Sequence, residues 1–196
     1  METSGKPLNG GQILANALVR QGVDLAFGVP GESFLPLLNG LGDHPQFQFI
    51  TCRQEGGAAY MAEAYGKLTG KPGVIMVTRG PGASNAMVGV HTAYQDSTPM
   101  VLLVGQVGTD MVEREAFQEL DYRAVFGTVA KWATEIDDPA RIPEIVSRAF
   151  YTATSGRPGP VVIALPEDML RERVSVPDAP RYEQVAVLSR LKSPAP

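Results

Sequence analysis

Apolar and polar positions along this chain follow two different periods, and the switches between them mark out its elements. Over 11–21, GQILANALVRQ, the residues Ile13, Leu14, Ala17 and Leu18 fall on one helical face, and Gly22 follows as a stop. A short apolar run, DLAFGV (24–29), reads as a strand. From there helical periods and apolar runs take turns: a helix near 33–41, a strand FQFIT, a helix over 56–69, a strand GVIMVT, a helix over 83–95, a strand MVLLVGQV, a helix over 140–154 and a strand PVVIAL. Strands interleaved with helices predict an α/β fold: a doubly wound, largely parallel sheet with helices on both faces.

The runs at 74–78, 100–104 and 161–165 are continuously apolar rather than alternating, as expected of central strands covered on both faces. In such sheets ligands bind outside the carboxyl ends of the strands, in loops that lead into the next helix. Three loops fit that description: VPGES (29–33), RQEGG (53–57) and TRGPGASN (78–85). After Met169 the periodicity breaks down, and prolines stand at 177, 180, 194 and 196. We therefore expect a domain over 1–170 and a linker over 171–196 toward a further domain.

Composition adjusts this picture in a few places. The chain of 196 residues is 44% apolar and 19% charged, ordinary values for a folded domain, while 21 glycines and 16 prolines imply many turns and close backbone approaches. A net charge of −4 with scattered basic residues removes nucleic acid and anionic membrane from the expected partners. Cys52 is the only cysteine, which excludes an internal disulfide and suggests a buried, inert thiol in a reducing compartment. The N-terminal METSGKPLNG is polar, and no apolar run approaches the roughly 20 residues of a membrane span. The expected location is the cytoplasm.

Candidate chemistry begins at CRQEGG (52–57), where a carboxylate stands between an apolar run and a run of small residues. Glu55 reads in two ways. It is an acid in a first helical turn, complementing the macrodipole by about 0.3–1 kcal/mol, or it is a functional acid made approachable by Gly56, Gly57, Ala58 and Ala59. The local pattern leaves both open. RGPGASN is likewise either a tight turn with Ser84 or Asn85 near a helix start or a weak partial match to a dinucleotide fingerprint. His44 and His91 lack metal-ligand spacing and read as structural, so no metal site is expected within the chain. MVEREAFQEL, with Glu113, Glu115 and Glu119, reads as a solvated stretch around a partly buried Phe117, and Asp96 as a helix-to-strand turn residue.

Taken together, FGVPGE (27–32), RQEGGAAYMAEAYGKLTGKPG (53–73), VTRGPGASNA (77–86), DSTPMVLLVGQV (96–107), AFQE (116–119) and SGRPGPVVIALPEDM (155–169) carry a family pattern. Over about residues 10–170 the chain resembles the N-terminal, pyrimidine-binding domain of thiamine-diphosphate-dependent enzymes of the acetolactate synthase and pyruvate oxidase type. The resemblance implies thiamine diphosphate as cofactor and Glu55 as the catalytic glutamate that meets N1′ of its aminopyrimidine. A proton shared there favours the 4′-imino tautomer, whose nitrogen can take the C2 proton of the thiazolium. It further implies that Pro30, Thr78, Gly82 and Asn85 bind the cofactor with Glu55, and that Gly31, Phe117 and Gln118 face substrate or a neighbouring subunit's site.

The implied activity is acetolactate-synthase-like carboligation of a small 2-oxo acid. The alternatives are a 2-oxo acid decarboxylase or oxidase of the same superfamily, and a catalytically silent binding or assembly module with the same fold. The GDG…N signature for Mg2+ and diphosphate does not occur in this sequence, so those groups are expected on a diphosphate-binding domain of the same or a partner chain. The chain alone is then expected to be inactive. The family is compatible with FAD and implies a homodimer or tetramer. Three places depart from the synthases, which usually read Arg-His-Glu-Gln where this chain has Arg53, Gln54, Glu55 and Gly56. They also usually carry serine at Arg79 and a glycine pair at Gly31-Glu32. All three lie around the reaction space.

Overall fold

The computed structural model describes residues 7–182. In chain order a two-residue strand β1 (Leu8–Asn9) leads into α1 (Gly10–Arg20), followed by β2 (Leu25–Gly28), a 3-10 turn (Glu32–Phe34), α2 (Leu35–Leu41), β3 (Gln48–Thr51) and α3 (Glu55–Thr69). Then come β4 (Gly73–Val77), α4 (Gly80–Gln95), β5 (Met100–Gln106), α5 (Tyr122–Phe126), β6 (Trp132–Glu135), α6 (Ile142–Thr154), β7 (Pro160–Pro166), α7 (Glu167–Arg171) and β8 (Arg173–Val174). Local chemistry sets several of these bounds. Asn9 accepts from the Gln12 backbone N–H at 2.8 Å while the Gln12 side chain accepts from the Asn9 N–H, a reciprocal capping box that starts α1. Gly70, at φ 69°, ends α3 in the left-handed conformation that glycine adopts without a Cβ clash.

Strands β2 to β7 form one all-parallel sheet in the order β3-β2-β4-β5-β7-β6. The winding reverses beside β2. The chain passes from β2 to β3 on one side and returns after α3 to β4 on the other, which opens a crevice between the carboxyl ends of β2 and β4. Side chains alternate into two cores. Val74, Met76, Val101, Leu103, Val161 and Ile163 pack with residues of α1, α2 and α6. Ile75, Val77, Leu102, Val104, Val162 and Ala164 pack with residues of α3, α4 and α5. This is the doubly wound architecture expected from the sequence, with β4, β5 and β7 in the interior and their continuous apolar runs explained by burial on both faces.

Several bounds differ from expectation. Helix α4 begins at Gly80, three residues early, because Pro81 occupies the first turn, where its missing N–H has no partner to lose. Helix α5 and strand β6 were not expected: β6 lies at the sheet edge, half-buried throughout, and carries no strong apolar run. Strands β1 and β8 pair antiparallel, Leu8 opposite Val174. Beyond them Tyr182 lies on the domain, its ring edge-on to Tyr151 at 5.0 Å between centroids and its N–H donating to Gln21. The remainder of the expected linker, 183–196, lies outside the described residues. Among those residues no helix is long and apolar enough to cross a membrane.

Candidate functional site

The crevice beside β2 is built by close backbone approach. A Cβ on Gly31 would stand 2.6 Å from Thr78 Cβ, so the loop after β2 can lie on the loop after β4 only with glycine there. The hydroxyls of Ser33 and Thr78 share a hydrogen bond of 2.9 Å, and Ser33 is fully buried. Pro30 is exposed just before this contact.

Glu55 enters from the third loop as the first residue of α3. Gln54 caps that helix by accepting from the Gly57 N–H at 2.9 Å, which gives the departure at Gln54 a structural task. The half-buried Glu55 carboxylate accepts at Oε2 from the Asn85 amide across 3.0 Å. Its Oε1 lies 3.6 Å from where a Cβ on Gly82 would stand, and that Cβ would also lie 3.2 Å from Thr78 Cγ2. Glu55, Gly82, Asn85, Thr78 and Gly31 therefore form one contiguous wall. The two helices carrying it meet closely: a Cβ on Gly89 would be 2.5 Å from Ala59 Cβ. Above the start of α3 the ground is open, since nothing lies within 4 Å of a Cβ built on Gly57.

The segment after β5 corrects two expectations. Phe117 is 74% exposed, not partly buried. Glu119 is not a solvated charge: its carboxylate accepts from the N–H groups of Glu113 at 2.6 Å and Ala116 at 3.2 Å, folding the loop around itself. Glu113, Glu115 and Gln118 all have positive φ, at 62°, 53° and 65°, conformations that cost non-glycine residues and need outside support. Part of that support is the Gly80 N–H at the start of α4, which donates to the Gln118 carbonyl at 2.9 Å. Gln118 thus joins the wall through its backbone, while the Phe117 side chain stands out from it.

One cluster has no precursor in the local sequence. Arg79, only 7% exposed, donates from Nη1 to Glu32 Oε1 at 3.0 Å and from Nη2 to Glu167 Oε2 at 2.9 Å. Two of the three departures, Arg79 and Glu32, are therefore partners. Glu32 is 47 residues and Glu167 88 residues from Arg79 along the chain, too far apart for any motif to join them. Of the other candidates, Asp96 ends α4 and pairs with Lys67 at 2.6 Å, and His44 shares a hydrogen bond of 2.9 Å with Asn16. Cys52 is buried.

A carboxylate at an open helix start, oriented by a neutral amide and flanked by glycines, can share a proton with a group laid closely against it. Comparison with known proteins points the same way. The family model described as "Thiamine pyrophosphate enzyme, N-terminal TPP binding domain" matches residues 8–125. The acetolactate synthase large subunit of Lactococcus lactis is 43% identical over 164 residues, 84% of this chain and 28% of that protein. The mitochondrial acetolactate synthase catalytic subunit of Saccharomyces cerevisiae is 41% identical over 169 residues, 86% of this chain and 25% of that protein. The acetolactate synthase isozyme 3 large subunit of Escherichia coli is 39% identical over 170 residues, 87% and 30% respectively. The chain thus spans about a quarter to a third of the length of these curated relatives.

Proposed function

Because the chain belongs to the thiamine pyrophosphate enzyme family as its N-terminal TPP binding domain, we propose that it supplies the proton-handling half of a cofactor site in a carboligase acting on 2-oxo acids. The observation that carries this reading is Glu55, a half-buried carboxylate fixed by Asn85 at an open helix start beside Gly82. Thiamine diphosphate, when bound, supplies a carbon that can hold the electron pair released by decarboxylation. Glu55 holds or shares a proton at pyrimidine N1′, the task of a general acid–base. Asn85 keeps its carboxylate in one orientation. Thr78, Gly82 and Pro30 would line the ring of the bound cofactor, and Gly31, Phe117 and Gln118 would lie toward substrate or a neighbouring subunit.

In overall balance the 2-oxo acid loses its carboxylate as CO2, the released pair forms a carbon–carbon bond to an acceptor carbonyl, and that carbonyl's oxygen takes a proton. Diphosphate and Mg2+ are assigned to another domain of the same or a partner chain, in an assembly of at least two copies located in the cytoplasm. The relatives' names support the acetolactate type. The ion pair between Arg79 and Glu32, where synthases usually carry serine and glycine, favours an acceptor different from theirs.

The test is titration of the full-length protein bearing this chain with thiamine diphosphate and Mg2+, followed by pyruvate. Saturable binding with release of CO2 is expected. Absence of binding would contradict the reading.

A further inference from the structure

The cluster of Arg79, Glu32 and Glu167 is poorly explained by stability. Arg79 is the N-cap of the 16-residue helix α4 and makes no side-chain cap bond. Ser, Thr, Asn or Asp would serve better at that position, and a cation there opposes the positive end of the helix macrodipole. Burying the guanidinium then requires partners. Glu167, 29% exposed, is one, and it suffices to neutralise the charge. Arg171 Nη2 also lies 3.8 Å from Glu167 Oε2, and Glu32 adds a second carboxylate to Arg79 on a side chain 71% exposed, the one charge among Arg79, Glu32 and Glu167 that faces outward. Arg79 Nε, meanwhile, is buried with no hydrogen-bond partner among the described residues. A cluster selected for stability would satisfy that donor.

Its position gives the cluster another use. Glu32 follows Gly31, which packs on Thr78 in the same wall as Gly82 and Glu55. Arg79 holds Oε1 through a charge-assisted bond of 3.0 Å, which turns an otherwise mobile surface carboxylate into a fixed one and leaves Oε2 to accept from a further donor. Resting on the carboligase reading above, we propose that Glu32, positioned by Arg79, is a specificity-determining acceptor that selects a hydroxyl-bearing aldehyde as the second substrate and disfavours one bearing a carboxylate. A hydroxyl donates to the outward-facing Glu32 carboxylate, whereas an acceptor's own carboxylate meets like charge there.

The experiment uses the full-length holoenzyme with pyruvate as donor and three acceptors of nearly equal size: glycolaldehyde, propanal and glyoxylate. The readout is the ratio of kcat/KM for glycolaldehyde to that for propanal, in wild type, Glu32→Gln and Glu32→Gly. Glu32 is exposed and Arg79 keeps Glu167 in both variants, so folding is not at stake. Loss of a hydrogen bond to a charged group predicts a fall in the ratio of roughly 10- to 100-fold, carried by KM for glycolaldehyde. Glyoxylate should improve relative to propanal in both variants. A merely structural role lowers all three acceptors together, and an unchanged ratio in the variants overturns the proposal. If the wild type turns over no 2-oxo acid with any acceptor, the carboligase reading fails and this inference fails with it.

Discussion

The side-chain amide of Asn85 donates to Glu55 Oε2 across 3.0 Å, tying the first residue of α3 to the second turn of α4. The bond lies near the surface, so its use is orientation rather than stability. In the complete enzyme Asn85→Ala should slow cofactor activation roughly tenfold while changing the unfolding free energy by about 1 kcal/mol or less. Isotope exchange at the cofactor and urea denaturation of the same variant separate the two effects. A large loss of stability with unchanged exchange would make Asn85 a structural residue.

Glu32 and Glu167 share one guanidinium but differ in exposure, 71% against 29%. Exposed ion pairs contribute about 0–1 kcal/mol, so Glu32→Ala should fall within that range. Glu167→Ala leaves Arg79 with only its exposed partner and should cost more, up to about 3 kcal/mol. Chemical denaturation of both variants checks the ranking, and equal losses would show that burial does not set it.

Two glycines on the helices that carry the site should respond in opposite directions. Gly89→Ala drives a methyl to 2.5 Å from Ala59 Cβ and 2.8 Å from its carbonyl carbon, and overpacking of this kind typically costs about 1–3 kcal/mol. Gly57→Ala meets nothing within 4 Å and should stabilise α3 by up to about 1 kcal/mol. Thermal unfolding midpoints should therefore move down and up respectively.

These residues also show what was legible in advance. Strands β4, β5 and β7 were readable because burial on both faces leaves an unbroken apolar run, and Glu55 stood out because its loop follows a strand and opens a helix. Strand β6 was not readable: a half-buried edge strand of four residues has neither alternation nor length enough to mark it. The start of α4 lies before the expected residue 83 because GPG has the composition of a turn, while Pro81 sits in the first helical turn. The roles of Arg79, Glu167 and Glu119 depend on partners that only the folded chain brings together. A charged residue's local sequence says nothing of whether it will be buried against another.

The edge strand supplies a prediction about pH. Burial holds the Glu135 carboxyl above the ordinary carboxylate range; Gln106 and Arg123 act against the shift, and Asp137 and Asp121 add to it. The folded chain therefore binds this proton more tightly than the unfolded chain. Stability from this group is full below the ordinary carboxylate range and is lost as pH rises through the raised folded value. Glu135→Gln removes the penalty, so the variant should be more stable than wild type at neutral pH and gain nothing in acid. Denaturant midpoints of both proteins across pH check the sign.

Hydrogen–deuterium exchange at cofactor C2 is the sharpest test of the proposed role of Glu55 in handling a proton for the cofactor. The measurement is made by quenched flow and NMR on the full-length enzyme, wild type against Glu55→Gln, at equal saturation with thiamine diphosphate and Mg2+. Glutamine keeps the size and the acceptor for Asn85 but cannot share the proton. General acid–base catalysis is typically worth about 10²–10⁴-fold, and exchange should slow by that factor while the cofactor still binds. A charge that merely complements the start of α3 would cost up to about 1 kcal/mol of stability and leave exchange untouched. An unchanged exchange rate would rule out this role for Glu55.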